Sequence, residues 1–430
     1  MVPSRFQLLV RTFGNYVAGL AVRGFEVVGK LALYILAAAA LGAHDAGMFF
    51  LCITWVGLLS TIARLGFERA MTRHVAVELS VGRGRAAARA MRTGMSLHLA
   101  TSAAAALLTW AVADFAAGGI FSEPDLAHPL ALSALLLVPQ TMVISVGYVL
   151  TGLKRGVAAQ FVQNAMWPLL TVAALVAGAR RLDELILALA GALTLATLTG
   201  AVLVARCRAQ LQDAPARRDA DGGESLPPLW RTALPLGLVE VVQIGLSALP
   251  VLVLGAFVDA AAVGAFSVAH RISLMMWVII VSIGTVAAPH FAELHRRRDM
   301  GQLRALNRRV RLVTAAAGLP VILAMMAFPA TLLRLIGPGF EIAAPALTLL
   351  AAGQLVNCLL PSQDLVLAMC GHGRRLQQLN IAQFVVGCIL AAVLVPQFGM
   401  MGAAAVGAWI LAQGAIGTTL MVRRLMPAAF

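Results

Sequence analysis

Charged residues are scarce in this 430-residue chain, where Asp, Glu, Lys and Arg together make up 12% of the sequence. Soluble domains carry roughly 25% of these residues, whereas hydrophobic residues reach 60% here and the mean hydropathy is +0.87. Because lipid offers the backbone no hydrogen-bond partners, only helices or a closed barrel can cross a membrane. The apolar runs are too long for barrel strands, so the sequence predicts an all-α integral membrane protein.

Cysteines and aromatic residues are also few. The five cysteines have no metal-ligand spacing and fall in apolar segments or at their cytoplasmic edges, which argues against disulfides and metal centres. Aromatic residues make up 6% and are not interleaved with basic ones as in nucleic-acid stacking platforms. The net charge of +14 is better explained by basic loops facing an anionic leaflet. We therefore predict no nucleic-acid partner.

Twelve apolar segments are long enough to span the bilayer, which takes roughly 20 residues per helix. Six precede and six follow a polar stretch rich in Ala, Asp and Gly that ends at Pro227-Pro228. The sequence thus predicts a six-helix bundle at 1–205, a cytoplasmic linker at 206–234 and a second six-helix bundle at 235–430. The predicted spans are 14–41, 46–66, 94–115, 129–152, 157–179, 184–205, 235–257, 262–289, 312–335, 343–369, 379–397 and 400–422.

Basic residues lie almost entirely on one side of this topology, while the other side receives only Arg180 and Arg181. By the positive-inside rule both termini are cytoplasmic, and no cleaved signal peptide is expected. The Arg-rich segments 67–93 and 295–311 are predicted to form short amphipathic helices on the membrane surface. Arg64, close to the end of a span, is expected to extend its guanidinium toward the interface.

The two halves share a sequence pattern that begins about 214 residues apart. Glu26 and Glu240 each precede Val-Val and an apolar stretch, and Gly47 and Gly264 each begin a Gly-x-Phe segment. Internal repeats of this kind are typical of transporters, whose substrate path lies between the halves.

The first span carries a polar stripe within about 100° of helical arc. Ionisable residues inside hydrocarbon are costly and indicate function. One interpretation is a water-filled, net-cationic cavity wall in which Arg23 and Lys30 meet phosphate or acidic sugars. The alternative is a self-neutralising ladder of Arg23, Glu26 and Lys30 at i,i+3 and i,i+4 spacing. The stripe comprises Asn15, Gly19, Arg23, Glu26, Lys30 and Tyr34.

Polar residues also mark the seventh and eighth spans. Glu240 and Gln243 share a stripe, and Glu240 is either an ion-coupling residue or an interfacial one partly in water. His270 and Arg271 lie too deep for easy snorkelling, so they are predicted to line the cavity, with His270 alternatively a packing residue. Position Thr54 matches Arg271 in the first half, so the cation is not duplicated.

In the tenth span Gln354, Asn357, Pro361 and Asp364 cluster within about 80° of arc. Pro361 is expected to break or bend the helix. Asp364 is a second ion-coupling candidate. Gln354 and Asn357 either contact substrate or form interhelical amide hydrogen bonds.

The segments 263–272, 289–293, 335–340 and 398–404, together with the six-plus-six topology, resemble the polysaccharide transporter (Wzx-type oligosaccharide flippase) family. Its wider superfamily includes lipid II flippases and multidrug and toxin extrusion pumps. The resemblance implies two pseudo-symmetric six-helix bundles around a central, often cationic cavity, with Arg271 at an eighth-span cation common in flippases. Lipid II flippases usually have two further C-terminal spans, which speaks against a strict lipid II role.

The resulting expectation is a non-enzymatic flippase of undecaprenyl-diphosphate-linked oligosaccharide in the bacterial cytoplasmic (inner) membrane. It would serve an O-antigen, lipopolysaccharide or exopolysaccharide pathway, with membrane lipids, a polysaccharide polymerase and glycosyltransferases as partners. Alternatives are a cation-coupled multidrug exporter of the same superfamily and an integral-membrane glycosyltransferase or polymerase. No nucleotide-binding loop, metal cluster or nucleophile motif is evident, so we predict no cofactor and expect an ion gradient or the membrane potential to drive transport.

Overall fold

The computed structural model describes residues 5–207 and 229–427. Helices make up about 90% of the structure, and the described residues form no strand, which confirms the all-α prediction. Short π- or 3₁₀-helical turns occur at Ala116–Ile120, Pro124–Leu126, Phe161–Met166 and Phe340–Ala343. The α-helices of these residues are α1 (Arg5–Arg64), α2 (Phe67–Ser80), α3 (Gly84–Phe115), α4 (Ala127–Gly152), α5 (Gly156–Gln160), α6 (Trp167–Val176), α7 (Leu182–Ala205), α8 (Leu229–Gly255), α9 (Ala260–Ser273), α10 (Met275–Arg296), α11 (Met300–Ala327), α12 (Pro329–Arg334), α13 (Ala344–Leu359), α14 (Gln363–Met369) and α15 (Gly373–Leu425).

Ten helical segments of the described residues are long and apolar enough to cross a membrane. Two of them, in α1 and α15, are long enough for two crossings each. Both helices contain a residue with non-helical backbone angles, Gly42 (φ 75°) in α1 and Gly399 (φ 52°) in α15. These φ values favour glycine because it has no Cβ. Counting α1 and α15 twice gives the twelve crossings that hydropathy predicts.

The chain divides into two compact units. Unit 1 comprises residues 1–40, 55–120 and 124–241, and unit 2 comprises residues 41–54, 121–123 and 242–430. Both α1 and α8 therefore contribute residues to each unit. Of the predicted linker 206–234, residues 208–228 lie outside the described residues, so the predicted domain boundaries stay a prediction.

Each unit has its own apolar core. In unit 1 α4 packs against α3 and α7, and α2 packs against α3 and α4. Met71 and Val75 of α2 are fully buried there against α3 and α4 side chains such as Val149. In unit 2 α13 packs against α11 and α15, and Phe291 and Leu303 are fully buried at one end of the bundle.

Several predicted spans are broken rather than continuous helices. The tenth span ends as α13 at Leu359 and resumes as α14 at Gln363, with Pro361 and the left-handed Ser362 (φ 60°) between them. This break is the one expected from proline. The eighth span is split at Leu274 between α9 and α10.

One of the two predicted surface helices is wrong. The segment 67–93 does contain a separate helix, α2, before α3 begins. The segment 295–311 does not, because α10 runs on to Arg296 and α11 already begins at Met300. The arginines of this segment therefore extend the ends of two long helices, which place the charges beyond the apolar stretch.

Candidate functional site

The polar stripe of α1 forms an ion-pair ladder in unit 1. Nη1 of Arg23 donates to Oε2 of Glu26 at 3.2 Å, and Nζ of Lys30 donates to Oε1 of the same carboxylate at 2.9 Å. Two cations share one anion, so the ladder keeps a net charge of +1. The side chains of Arg23 and Lys30 stay about one-third exposed, at 32% and 29%, and can therefore reach a ligand. Asn15 lies where no side chain is described.

The stripe lies on the side of α1 that packs against protein. Phe25, Val28 and Leu36 are exposed, and at 100° per residue they fall on the arc roughly opposite that of Arg23, Glu26 and Lys30. An apolar exposed face is what a helix presents to lipid. The charged face therefore points into the protein rather than into hydrocarbon.

An aromatic residue that the sequence analysis missed completes this site. Nζ of Lys30 lies 5.8 Å from the centroid of the Trp167 ring, within range of a cation–π interaction. Trp167 begins α6 directly after the π-helical turn Phe161–Met166. Gly29 of α1 lies close to α6, since a Cβ there would lie 3.3 Å from Cδ2 of Leu169.

Glu240 of α8, the repeat counterpart of Glu26, also lies in unit 1. Its carboxylate pairs with Arg69 of α2, so a helix from the second repeat meets a helix of the first. The α8 backbone is close enough that Gly66 and Gly237 tolerate no Cβ at their contact. Gln243, one turn further, belongs to unit 2 and is exposed.

The predicted residues of α9 pack against aromatic rings in unit 2. The guanidinium carbon of Arg271 lies 4.7 Å from the centroid of the Phe50 ring. The His270 ring stacks on Phe266 with centroids 5.8 Å apart and planes 6° apart. His270 is buried, while Arg271 is partly exposed. His270 thus has the surroundings of a packing residue, and a role of Arg271 in the cavity stays a prediction.

Two amides of α13 form hydrogen bonds in unit 2, and that of Gln354 reaches another helix. Gln354 is fully buried, and its Nε2 donates to the carbonyl of Ser273 at the end of α9 at 3.0 Å. Asn357 donates to Oε1 of Gln354 at 3.4 Å. Gln354 therefore makes a bond between helices, whereas the bond of Asn357 lies within α13, and contact of either amide with substrate stays a prediction. Asp364 is exposed in the first turn of α14.

The prediction for Arg64 is wrong. This residue is 7% exposed, and its Nε donates to Oε1 of Glu68 at 3.2 Å, with Ser60 and Thr61 accepting from its other nitrogens at 2.8 and 3.1 Å. The His98 ring lies 3.1 Å from the Arg64 carbonyl. The i,i+4 spacing of Arg64 and Glu68 was visible in the sequence. The sequence does not show that this spacing makes an ion pair, because two left-handed residues, Leu65 and Gly66, separate α1 from α2.

The predicted site residues therefore fall into two groups. Arg23, Glu26, Lys30 and Glu240 lie in unit 1. The remaining ones lie in unit 2, at Gln243 of α8, His270 and Arg271 of α9, Gln354 and Asn357 of α13, and Asp364 of α14.

Solved structures share this fold across nearly the whole chain. An inward-facing multidrug resistance MATE family transporter of the MOP superfamily superposes with a TM-score of 0.75 at 14% identity, covering 96% of this chain and 98% of its own. The lipid II flippase MurJ in an inward closed conformation gives 0.75 at 12% identity, covering 95% and 87%. A MOP superfamily transporter from Pyrococcus furiosus, described by the reverse polarity of its binding pocket, gives 0.61 at 16%, covering 96% and 94%.

At the level of sequence, no protein with a curated functional description matches the chain. The family described as "Polysaccharide biosynthesis protein" matches residues 16–295, about two-thirds of the length. That region contains the α1 stripe from Gly19 onward, the Arg69–Glu240 pair and the α9 cation. The chain belongs to this polysaccharide biosynthesis family and has the multi-pass helical fold of the MOP superfamily transporters.

Proposed function

We propose that this protein flips an undecaprenyl-diphosphate-linked oligosaccharide from the cytoplasmic to the outer leaflet of a bacterial inner membrane, with both termini cytoplasmic. The observation that carries the proposal is the net-cationic ladder of Arg23, Glu26 and Lys30 on the protein-facing side of α1. A diphosphate carries negative charge and several acceptor oxygens, which Arg and Lys bind well at low dielectric. In unit 2, Arg271 is partly exposed and lies over the Phe50 ring.

Alternating access would move the headgroup while the lipid tail stays in the bilayer. An ion gradient or the membrane potential would drive the cycle, with Glu240 and Asp364 as the coupling candidates. The polysaccharide polymerase and the glycosyltransferases of an O-antigen, lipopolysaccharide or exopolysaccharide pathway would consume or supply the substrate.

A multidrug exporter is the second candidate, because MATE transporters share the fold. A site for cationic drugs calls for acidic and aromatic residues. In unit 1 the described stripe instead holds two cations for one carboxylate, which favours an anionic headgroup.

Deletion of the gene in its host separates the two functions. For a flippase, surface polysaccharide is lost and the undecaprenyl-linked oligosaccharide accumulates on the cytoplasmic side. Normal polysaccharide together with increased sensitivity to cationic dyes would instead identify an exporter. Transport into vesicles that persists after ionophores collapse both gradients would rule out ion coupling.

A further inference from the structure

Trp167 lies near the middle of a helical segment long and apolar enough to cross a membrane, away from the segment's ends. It follows Gly156 by 11 residues and precedes Val176 by 9 in its span. Tryptophans usually collect at the headgroup level, where the ring is apolar and the N–H is wet. Trp110 fits that pattern, being 67% exposed within the last six residues of α3. Trp167 is only partly exposed and faces Lys30.

The indole N–H of Trp167 is already used inside its own helix. Nε1 donates to the carbonyl oxygen of Gln163 at 3.1 Å. In a π-helical turn that carbonyl would pair with the N–H five residues on, but residue 168 is proline and has none. The indole satisfies the carbonyl and is held in place by it. A ligand therefore meets the faces of the ring and not its donor.

Lys30 lies over the Trp167 ring, so the part of the ring that Lys30 leaves uncovered suits a ligand that is apolar where it meets the ring and anionic next to it. A pyranose presents C–H groups on one face, and these stack on the electron-rich face of an indole. A phosphate linked to that sugar would reach Lys30, whose Nζ is 5.8 Å from the ring centroid, and Arg23 one step along the ladder.

We propose that Trp167 and Lys30 form the subsite for the sugar–phosphate junction of the substrate, in which Trp167 stacks on the first sugar and Lys30 pairs with the adjacent phosphate. This inference rests on the proposed function and specifies which part of the substrate unit 1 recognises. It makes Trp167 a determinant of glycan binding, and it assigns binding of the lipid tail to other residues.

The test is equilibrium binding by the full-length protein in nanodiscs, read by native mass spectrometry. The two probes are undecaprenyl diphosphate and undecaprenyl diphosphate that carries one hexose. Trp167→Leu should weaken binding of the hexose probe about tenfold and change binding of the sugar-free probe by less than about twofold. Trp167→Phe keeps a ring face and should retain most of the affinity. Trp110→Leu is the matched control and should affect neither probe.

Equal weakening of both probes by Trp167→Leu would overturn the subsite, because Trp167 would then only support Lys30. Unchanged binding of both probes would overturn it as well. A wild-type protein that binds neither probe but binds a cationic dye would overturn the flippase and the subsite together. If Trp167→Leu does not elute as a monodisperse protein, Trp167→Tyr takes its place in the test. Because tyrosine keeps an aromatic face, this variant must still bind the hexose probe more tightly than the sugar-free probe.

Discussion

Gly47 and Gly264, which occupy matching positions in the two repeats, meet backbone to backbone within unit 2. A Cβ on Gly47 would overlap the carbonyl oxygen of Ala260, and a Cβ on Gly264 would overlap that of Ala43. Gly264 is the repeat counterpart of Gly47, and Ala260 is that of Ala43, since each pair is 217 positions apart (264 − 47 and 260 − 43). Each glycine therefore contacts the residue that precedes the other glycine by four positions. Small residues at such crossings let membrane helices approach closely.

Gly264→Val should therefore destabilise the protein by about 1–3 kcal/mol, the usual cost of overpacking a tight contact. Thermal unfolding in detergent should show a midpoint lower by several degrees, at about 2–4 °C per kcal/mol. Gly57 of α1 has open space around its Cβ position, so Gly57→Ala is the control and should leave the midpoint nearly unchanged. A Gly264→Val protein as stable as the wild type would show that the backbones do not need this contact.

The cations of the two units are expected to matter for transport more than for folding. Arg23→Ala and Arg271→Ala should each lower surface polysaccharide in complementation of the deletion strain at equal protein levels. Losing one partly desolvated charge–phosphate interaction, about 1.5–3 kcal/mol, corresponds to roughly a 10- to 150-fold weaker interaction. Arg180→Ala, at an exposed position, should complement fully. Full complementation by Arg23→Ala would assign the α1 ladder to packing alone.

The buried pair of Arg64 and Glu68 should behave in the opposite way. Their side chains are 8% and 2% exposed, so Glu68→Ala leaves a buried cation without its partner, at a cost of about 3–5 kcal/mol. The double variant Arg64→Met with Glu68→Leu removes both charges and should recover much of the lost unfolding temperature. A double variant no more stable than Glu68→Ala would mean that the surrounding hydroxyls, such as Ser60, require the guanidinium.

The pair of Arg69 and Glu240 connects the two repeats at a more exposed place, with side chains 44% and 19% exposed. Exposed ion pairs contribute about 0–1 kcal/mol, so Glu240→Gln should barely change stability. Arg69→Glu should impair transport through like-charge repulsion, and adding Glu240→Arg should restore it. If the swapped pair stays inactive while Glu240→Gln also abolishes transport, Glu240 acts through its carboxylate and not through Arg69.

Hydropathy predicts the spans, and helical periodicity includes the α1 ladder as one of two interpretations of the polar stripe, because both features depend on residues close in sequence. The contact of Lys30 with Trp167 joins residues 137 positions apart (167 − 30), and neither charge nor spacing indicates it. The burial of Arg64 is not predictable from the sequence for a related reason. Hydropathy places it near a span end, but only the turn at Leu65 and Gly66 brings α2 back over it. The prediction of a surface helix at 295–311 is wrong because arginine content does not distinguish a surface helix from the ends of two long helices.

The break between α9 and α10 also has a consequence for which side chains unit 2 tolerates. At this break the N–H of Trp277 pairs with Leu274, and the carbonyl of Ser273 is paired instead with the side chain of Gln354. Leucine at position 354 would satisfy every hydropathy rule for a spanning helix. It would nonetheless remove the side-chain partner of the Ser273 carbonyl inside the protein, where an unsatisfied buried polar group costs about 1–3 kcal/mol. At position 354, the more apolar leucine is therefore expected to destabilise the protein relative to glutamine.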